Sequence, residues 1–172
     1  MINFGNVTQL GYLCDDIEAA MQAWSENSGV GPFTWYKDLT LDMVYKGSPS
    51  SVDMHVAIAY RGDMQIELIQ QVNDAPSPYK AYFDTKQMGL HHIAFMVDDM
   101  DDALAQLRDH KFEITATIDN GDAGRYAYYE DPALDGVIYE LLSVNDGMKA
   151  YWDSLRVDAE KWDGKPSVTV LG

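Results

Sequence analysis

The spacing of apolar and polar residues changes several times along the chain, and the sequence of changes occurs twice. "VTQLGYL" from Val7 is a short, mostly apolar run, followed by Asp15 and Asp16 and then by apolar residues at three- and four-residue steps, Ile17, Ala20, Met21 and Trp24. "LHHIAFMV" from Leu90 leads in the same way through Asp98 and Asp99 to Met100, Ala103, Leu104 and Leu107. The run suits a buried strand, the aspartates suit helix N-caps, and the later spacing marks one face of a helix. Each copy therefore begins strand then helix.

After each helix the pattern turns to strands, over 33–46, 52–61 and 64–70 in the first copy and 112–118, 125–130 and 136–143 in the second. "KGSPSS", "YRGD", "DNGDAG" and "DPALDG" supply the turn residues between them. Repetition at this scale defines the architecture: two βαβββ modules, residues 1–72 and 90–143, in one α+β structural domain. Residues 73–89 form a linker in which Ser77 and Pro78 start a short helix. Residues 144–172 form a helical extension, where Met148, Tyr151, Trp152, Leu155, Ala159 and Trp162 make an apolar stripe that packs on the domain or on a second subunit.

Composition narrows the partners. A chain of 172 residues with 47% hydrophobic content holds one substantial core. Twelve basic against 28 acidic residues, a net charge of −16, argues against nucleic acid and anionic membranes. The aspartates at the helix starts have a structural role first. Cys14 is the single cysteine, so no intrachain disulfide forms; a reducing compartment is the natural reading, with secretion left open. Met1 to Asn6 has no signal-peptide character and no apolar run is long enough to span a bilayer, so a cytoplasmic protein is expected.

Strand alternation identifies the candidate chemistry. His91, Ile93 and Phe95 point one way, toward the helix or solvent, while His92 shares the other face with Ala94 and Met96. By the repeat, Gln9, Gly11 and Leu13 lie on the face of His92, and Glu67 and Glu140 stand opposite the helix-facing residues of the last strands. Buried carboxylates are protonated, paired or metal-bound. Gln9 aligns with His92 and Glu67 with Glu140, so a pseudo-twofold would gather all four into a mixed oxygen and nitrogen site for one divalent ion, zinc, nickel, cobalt, manganese or magnesium. His55 is a candidate for the substrate pocket, and His110 lies at a helix end where it complements the dipole.

These features, with "LHHIAFMVDDMDDAL", the preceding "SPYKAYFDTKQMG" and the late "YYEDPALDGVIYELL", resemble the vicinal oxygen chelate superfamily. That superfamily includes glyoxalase I, methylmalonyl-CoA epimerase, extradiol dioxygenases and bleomycin or fosfomycin resistance proteins. The resemblance covers residues 7–143 and is especially similar to the epimerases over Ser77 to Phe95. It implies a cup-shaped, barrel-like mixed sheet, a homodimer, and one metal ligand in the first and last strand of each module, here Gln9, Glu67, His92 and Glu140. This quartet resembles the Gln, Glu, His, Glu set of a zinc-type glyoxalase I and departs from the epimerases, which carry His and Gln at the positions of Gln9 and Glu67.

The resemblance implies a metal-dependent isomerase, epimerase or lyase that moves a proton next to a carbonyl through a metal-stabilised enediolate or enolate, with Glu140 and Glu67 as candidate bases. Epimerisation and isomerisation both stay open. One alternative is a drug-resistance-type binding protein whose cup is lined by Tyr12, Trp35, Tyr36, Tyr45, Tyr126 and Tyr128. Another is an iron dioxygenase, which needs a second imidazole where Gln9 stands. Lys37, Lys46, Arg61, Lys80, Lys86 and Arg125 are thinly spread in an acidic chain, which favours a less anionic, partly apolar carbonyl substrate.

Overall fold

The second aspartate of each pair fixes the start of a helix. In the computed structural model, which describes residues 2–134 and 136–172, Asp16 accepts the Ala19 amide at 3.0 Å and caps α1 (Ile17–Ser28). Asp99 accepts the Asp101 and Asp102 amides at 2.9 and 3.0 Å and caps α3 (Met100–Asp109). Each cap satisfies amides that the first helical turn leaves unpaired. Met1 and position 135, within the anticipated "DPALDG" turn, lie outside the described residues.

The strands are β1 (Val7–Leu13), β2 (Phe33–Tyr45), β3 (Ser48–Arg61), β4 (Met64–Gln71), β5 (Gly89–Met96), β6 (Glu113–Asp119), β7 (Arg125–Glu130) and β8 (Ile138–Ser143), with the short helix α2 (Lys80–Thr85) ahead of β5. They hydrogen-bond in the order β3-β4-β1-β5-β8-β7-β6-β2, and β2 pairs back to β3, so eight strands close into a barrel-like mixed sheet. Within each half the first and last strands run parallel, β1 with β4 and β5 with β8, as a helical crossover requires. The halves meet where β1 and β5 run antiparallel.

Period-two burial sorts the side chains into an inside and two outsides. Ile66 and Leu68 of β4 pack with Ile17 and Met21 under α1. Ala127 and Leu141 pack with Met100, Leu104 and Leu107 under α3. Met54, Val56 and Ile58 of β3 instead face the interior of the cup.

The apolar stripe of the tail lies on α4 (Asp146–Lys161), and Met148, Tyr151, Trp152, Leu155 and Ala159 are packed into the interior cluster of their own chain. The stripe is thus used within the subunit. Trp162 leaves it: its ring rests on Gly31 and its Nε1 donates to the Lys165 carbonyl at 2.7 Å. The chain then turns into β9 (Val168–Leu171), which pairs parallel with the first part of β2. The expectation of a wholly helical 144–172 extension is corrected there. Four residues after a proline carry too little pattern to announce a strand, and their backbone partner lies far away in sequence. No helix among the described residues is long and apolar enough to cross a membrane.

Leu107 is fully enclosed between α3 and the sheet. Leu107→Ala is expected to cost about 2–5 kcal/mol through the cavity it leaves. Urea unfolding checks this as a lower midpoint with an unchanged slope.

Candidate metal centre

Four adjacent strands, β4, β1, β5 and β8, carry the four polar residues, and their register repeats across the seam. Gly11 stands beside Glu67 in the first half, and Ala94 beside Glu140 in the second. Across the seam Gly11 opposes His92 and Gln9 opposes Ala94, so each long side chain faces a small one. For His92 the small partner is indispensable: a Cβ on Gly11 would lie 1.9 Å from the imidazole Cε1. The ring occupies the space that any other residue at position 11 would fill.

The geometry converges on His92 Nε2. It lies 3.0 Å from Glu140 Oε2, 3.4 Å from Glu67 Oε2 and 3.2 Å from Gln9 Oε1. Ligand atoms of Glu67, His92 and Glu140 all fall within 4.8 Å of one another. Gln9, His92 and Glu140 are buried, and Glu67 is partly so. Glu67 Oε2 is enclosed and accepts no hydrogen bond among the described residues. Burial pushes the Glu67 carboxyl above its ordinary value; His92 pulls it back and the Glu140 charge adds to the rise. Burial alone would lower the His92 pKa, but Glu140 and Glu67 more than reverse that and raise it to about 9.

Two features were not legible in the alternation. Gln65, buried beside Gln9, accepts the Gln9 Nε2 at 2.6 Å and donates to the Tyr60 hydroxyl at 2.7 Å. That chain aims the Gln9 amide oxygen at the centre. His91, expected toward the helix or solvent, is buried against Tyr79, Tyr82 and Tyr128. The β1–β5 register slips there, Gly11 pairing with His92 and Tyr12 with Leu90, so His91 is the extra residue of a bulge. A bulge interrupts strict alternation and re-aims the side chain.

His91 Nδ1 and His92 Nδ1 are 3.0 Å apart, and His91 Nε2 is 3.1 Å from the Pro78 carbonyl. Burial and the neighbouring His92 charge, against the pull of Pro78, lower the His91 pKa to about 3, so the ring is neutral. Its single proton satisfies Pro78 from Nε2 and leaves Nδ1 to accept the His92 Nδ1–H. When an ion displaces the second His92 proton, Nε2 presents its lone pair to the centre, as an orienting partner of a ligand histidine arranges. Only one imidazole faces the centre.

Tyr36, Tyr126 and Tyr128 line a cavity of about 270 Å³ above the four residues, together with Tyr79. Tyr79 and Tyr128 share a 2.8 Å hydroxyl hydrogen bond, and burial with the nearby carboxylates keeps both hydroxyls protonated. Tyr12 and Trp35 belong instead to the cluster under α1, and Tyr45 is outside the lining. His55 is corrected as a pocket residue. Its strand neighbours Met54 and Val56 point into the cavity, while His55 packs edge-on against Trp35 and its Nδ1 accepts the Asp38 amide at 3.1 Å. It supports the irregularity between Tyr36 and Leu39, where Asp38 has φ 56°. His110 caps α3, its Nδ1 3.0 Å from the Gln106 carbonyl.

One nitrogen and three oxygens around one point, with a carboxylate oxygen buried and unpartnered, fit a divalent cation of mixed-ligand preference. The comparisons with known proteins agree with the fold. The profile of the Glyoxalase/Bleomycin resistance protein/Dioxygenase superfamily matches residues 8–129. The chain belongs to this family, the vicinal oxygen chelate superfamily. It is 27% identical over 105 residues to the uncharacterised protein YqjC of Bacillus subtilis, covering 60% of this chain and 74% of that one. Its structure superposes on the protein BH1468 of Bacillus halodurans with TM-score 0.61 and 16% identity, covering 82% and 95% of the two chains. A Streptomyces coelicolor methylmalonyl-CoA epimerase in complex with 2-nitronate-propionyl-CoA gives TM-score 0.60 and 19% identity, covering 84% and 97%.

His91→Phe keeps a ring against Tyr79 and Tyr82 but removes the acceptor of the His92 Nδ1–H. Divalent-ion affinity is expected to fall by about 10–100-fold. Competition with a chromophoric chelator measures it, and unchanged affinity would remove the orienting role of His91.

Proposed function

We propose that the protein is a metal-dependent enzyme that moves a proton next to a carbonyl, as an isomerase, epimerase or lyase of the glyoxalase I or methylmalonyl-CoA epimerase type. The observation that supports this best is the meeting of Gln9, Glu67, His92 and Glu140 at the base of a mostly apolar cavity that opens to solvent. These four would hold one divalent ion. When bound, such an ion supplies polarisation of a substrate carbonyl and stabilisation of the negative charge that proton removal creates.

The chain's own groups supply the rest. Glu67 and Glu140 flank His92 from opposite halves, so a substrate carbon above the centre has a carboxylate on either side. Glu67 has the raised pKa of a group able to take and return a proton, and its contact with His92 is the longer. Two flanking carboxylates suit removal from one face and return to the same or the adjacent carbon. Apolar walls exclude water and strengthen these electrostatics. The presence of one imidazole, with His91 turned to Pro78, favours this chemistry over an iron dioxygenase, which uses two. In this reading the protein is cytoplasmic and acts on a small-molecule carbonyl substrate, and the homodimer implied by the resemblance is tested by sedimentation.

Elemental analysis of purified protein is expected to give about one divalent ion per chain, with His92→Ala and Glu140→Gln both losing it. Wild type is then expected to exchange solvent deuterium into the α-carbon of a carbonyl substrate. A chain that neither holds nor takes up an ion would overturn the reading.

The proton on His92 competes with the ion. With that proton held to about pH 9 in the ion-free chain, divalent-ion affinity is expected to rise about tenfold per pH unit from neutrality and to level off above that value. Calorimetry across this range checks the slope.

A further inference from the structure

Among the described residues that line the cavity there is no lysine or arginine to meet a phosphate or carboxylate on a substrate. Several basic residues near the modules have partners away from the cavity, and Lys46 lies over the Tyr45 ring outside its lining. Arg61 donates to the Gly29 carbonyl at 3.2 Å, Lys86 is 3.5 Å from Asp15, and Arg125 is 2.8 Å from Asp101. Lys80 pairs with Asp74 and Asp84. Lys37 lies over the Trp35 ring, on the side of the sheet away from the cup. The chain carries net charge −16, so an anionic substrate arm would be repelled without local compensation.

The walls have the opposite character. Leu39, Leu41, Ile58, Ile118 and Leu142 enclose the space, and Trp152 of α4 joins them from the C-terminal extension, beyond the residues 8–129 that the family profile matches. Ionic contacts tie α4 across both halves, Lys149 at 3.5 Å from Asp98 and Arg156 at 3.7 Å from Asp63. An engineered cavity of about 150 Å³ holds a benzene, so one of about 270 Å³ suits a ring with a short arm. The Tyr36 hydroxyl is buried against Tyr151 and Trp152 of α4, which ties the wall of β2 to the C-terminal helix.

We propose that the cup takes a small, uncharged, largely apolar or aromatic carbonyl compound, its tail lying among the leucines and Trp152, and that it does not take coenzyme A thioesters. The inference rests on the reading of the four residues as a carbonyl-binding centre. It separates this chain from the epimerase of similar fold, which was solved with 2-nitronate-propionyl-CoA.

The test is isothermal calorimetry on the full chain, with and without added zinc, using α-hydroxyacetophenone and methylmalonyl-CoA as probes. The ketone is expected to bind and the thioester neither to bind nor to compete. Thioester binding as tight as that of the ketone, or no ketone binding in either state, overturns the proposal. Solvent deuterium separates the two levels of the argument. Ketone binding without deuterium entering its α-carbon keeps the ligand class and removes the proton-transfer reading, whereas exchange into methylmalonyl-CoA without ketone binding does the reverse.

Discussion

Two carboxylates and one imidazole share an enclosed space at the seam between two modules, and their charges have to be reconciled there. Glu67 and Glu140 both approach His92 Nε2, with one Glu67 oxygen left without a hydrogen bond. In water such a cluster would be held by hydration. Inside the cup each uncompensated charge costs several kcal/mol, so the arrangement needs protons on His92 or Glu67, or a cation in their place. The raised pKa values of Glu67 and His92 express the same tension from its two sides.

Most of the surrounding architecture serves to keep that cluster enclosed. The twofold relation of the halves places one ligand-bearing strand from each next to the seam, and the parallel partner of each brings a glutamate. Small residues at Gly11 and Ala94 leave room for the side chains that cross it. Beyond the cluster, supporting contacts fix orientation: Gln65 and Tyr60 behind Gln9, His91 and the Pro78 carbonyl behind His92. Rotamers held from behind keep donors aimed at one point without further reorganisation.

The other end of the cup belongs to the C-terminal extension. A helix with an apolar stripe is equally suited to a dimer interface or to its own sheet, and burial of Trp152 shows which use was made of it. That choice gives the cavity a wall built outside the shared modules. Family membership fixes the fold; the contents of the cup depend on local walls and charges, which the fold leaves free.

How much was legible follows from the range of each signal. Periodicity, turn residues and capping aspartates act within a few positions, so the sequence by itself determined the two βαβββ modules, the helix starts at Asp16 and Asp99, and the shared face of Gln9, Glu67, His92 and Glu140. The internal repeat extended this to a pseudo-twofold, which is why four residues distant in sequence could be read as one group. Other features depended on contacts with no local signature. A one-residue bulge turned His91 inward and the irregularity near Asp38 gave His55 a structural duty. Gln65 found its role through a side chain 56 residues away, and β9 formed because the edge of β2 was open to it. Only the tertiary structure could decide these, because backbone register and long-range hydrogen bonding are properties of paired strands and not of either strand alone.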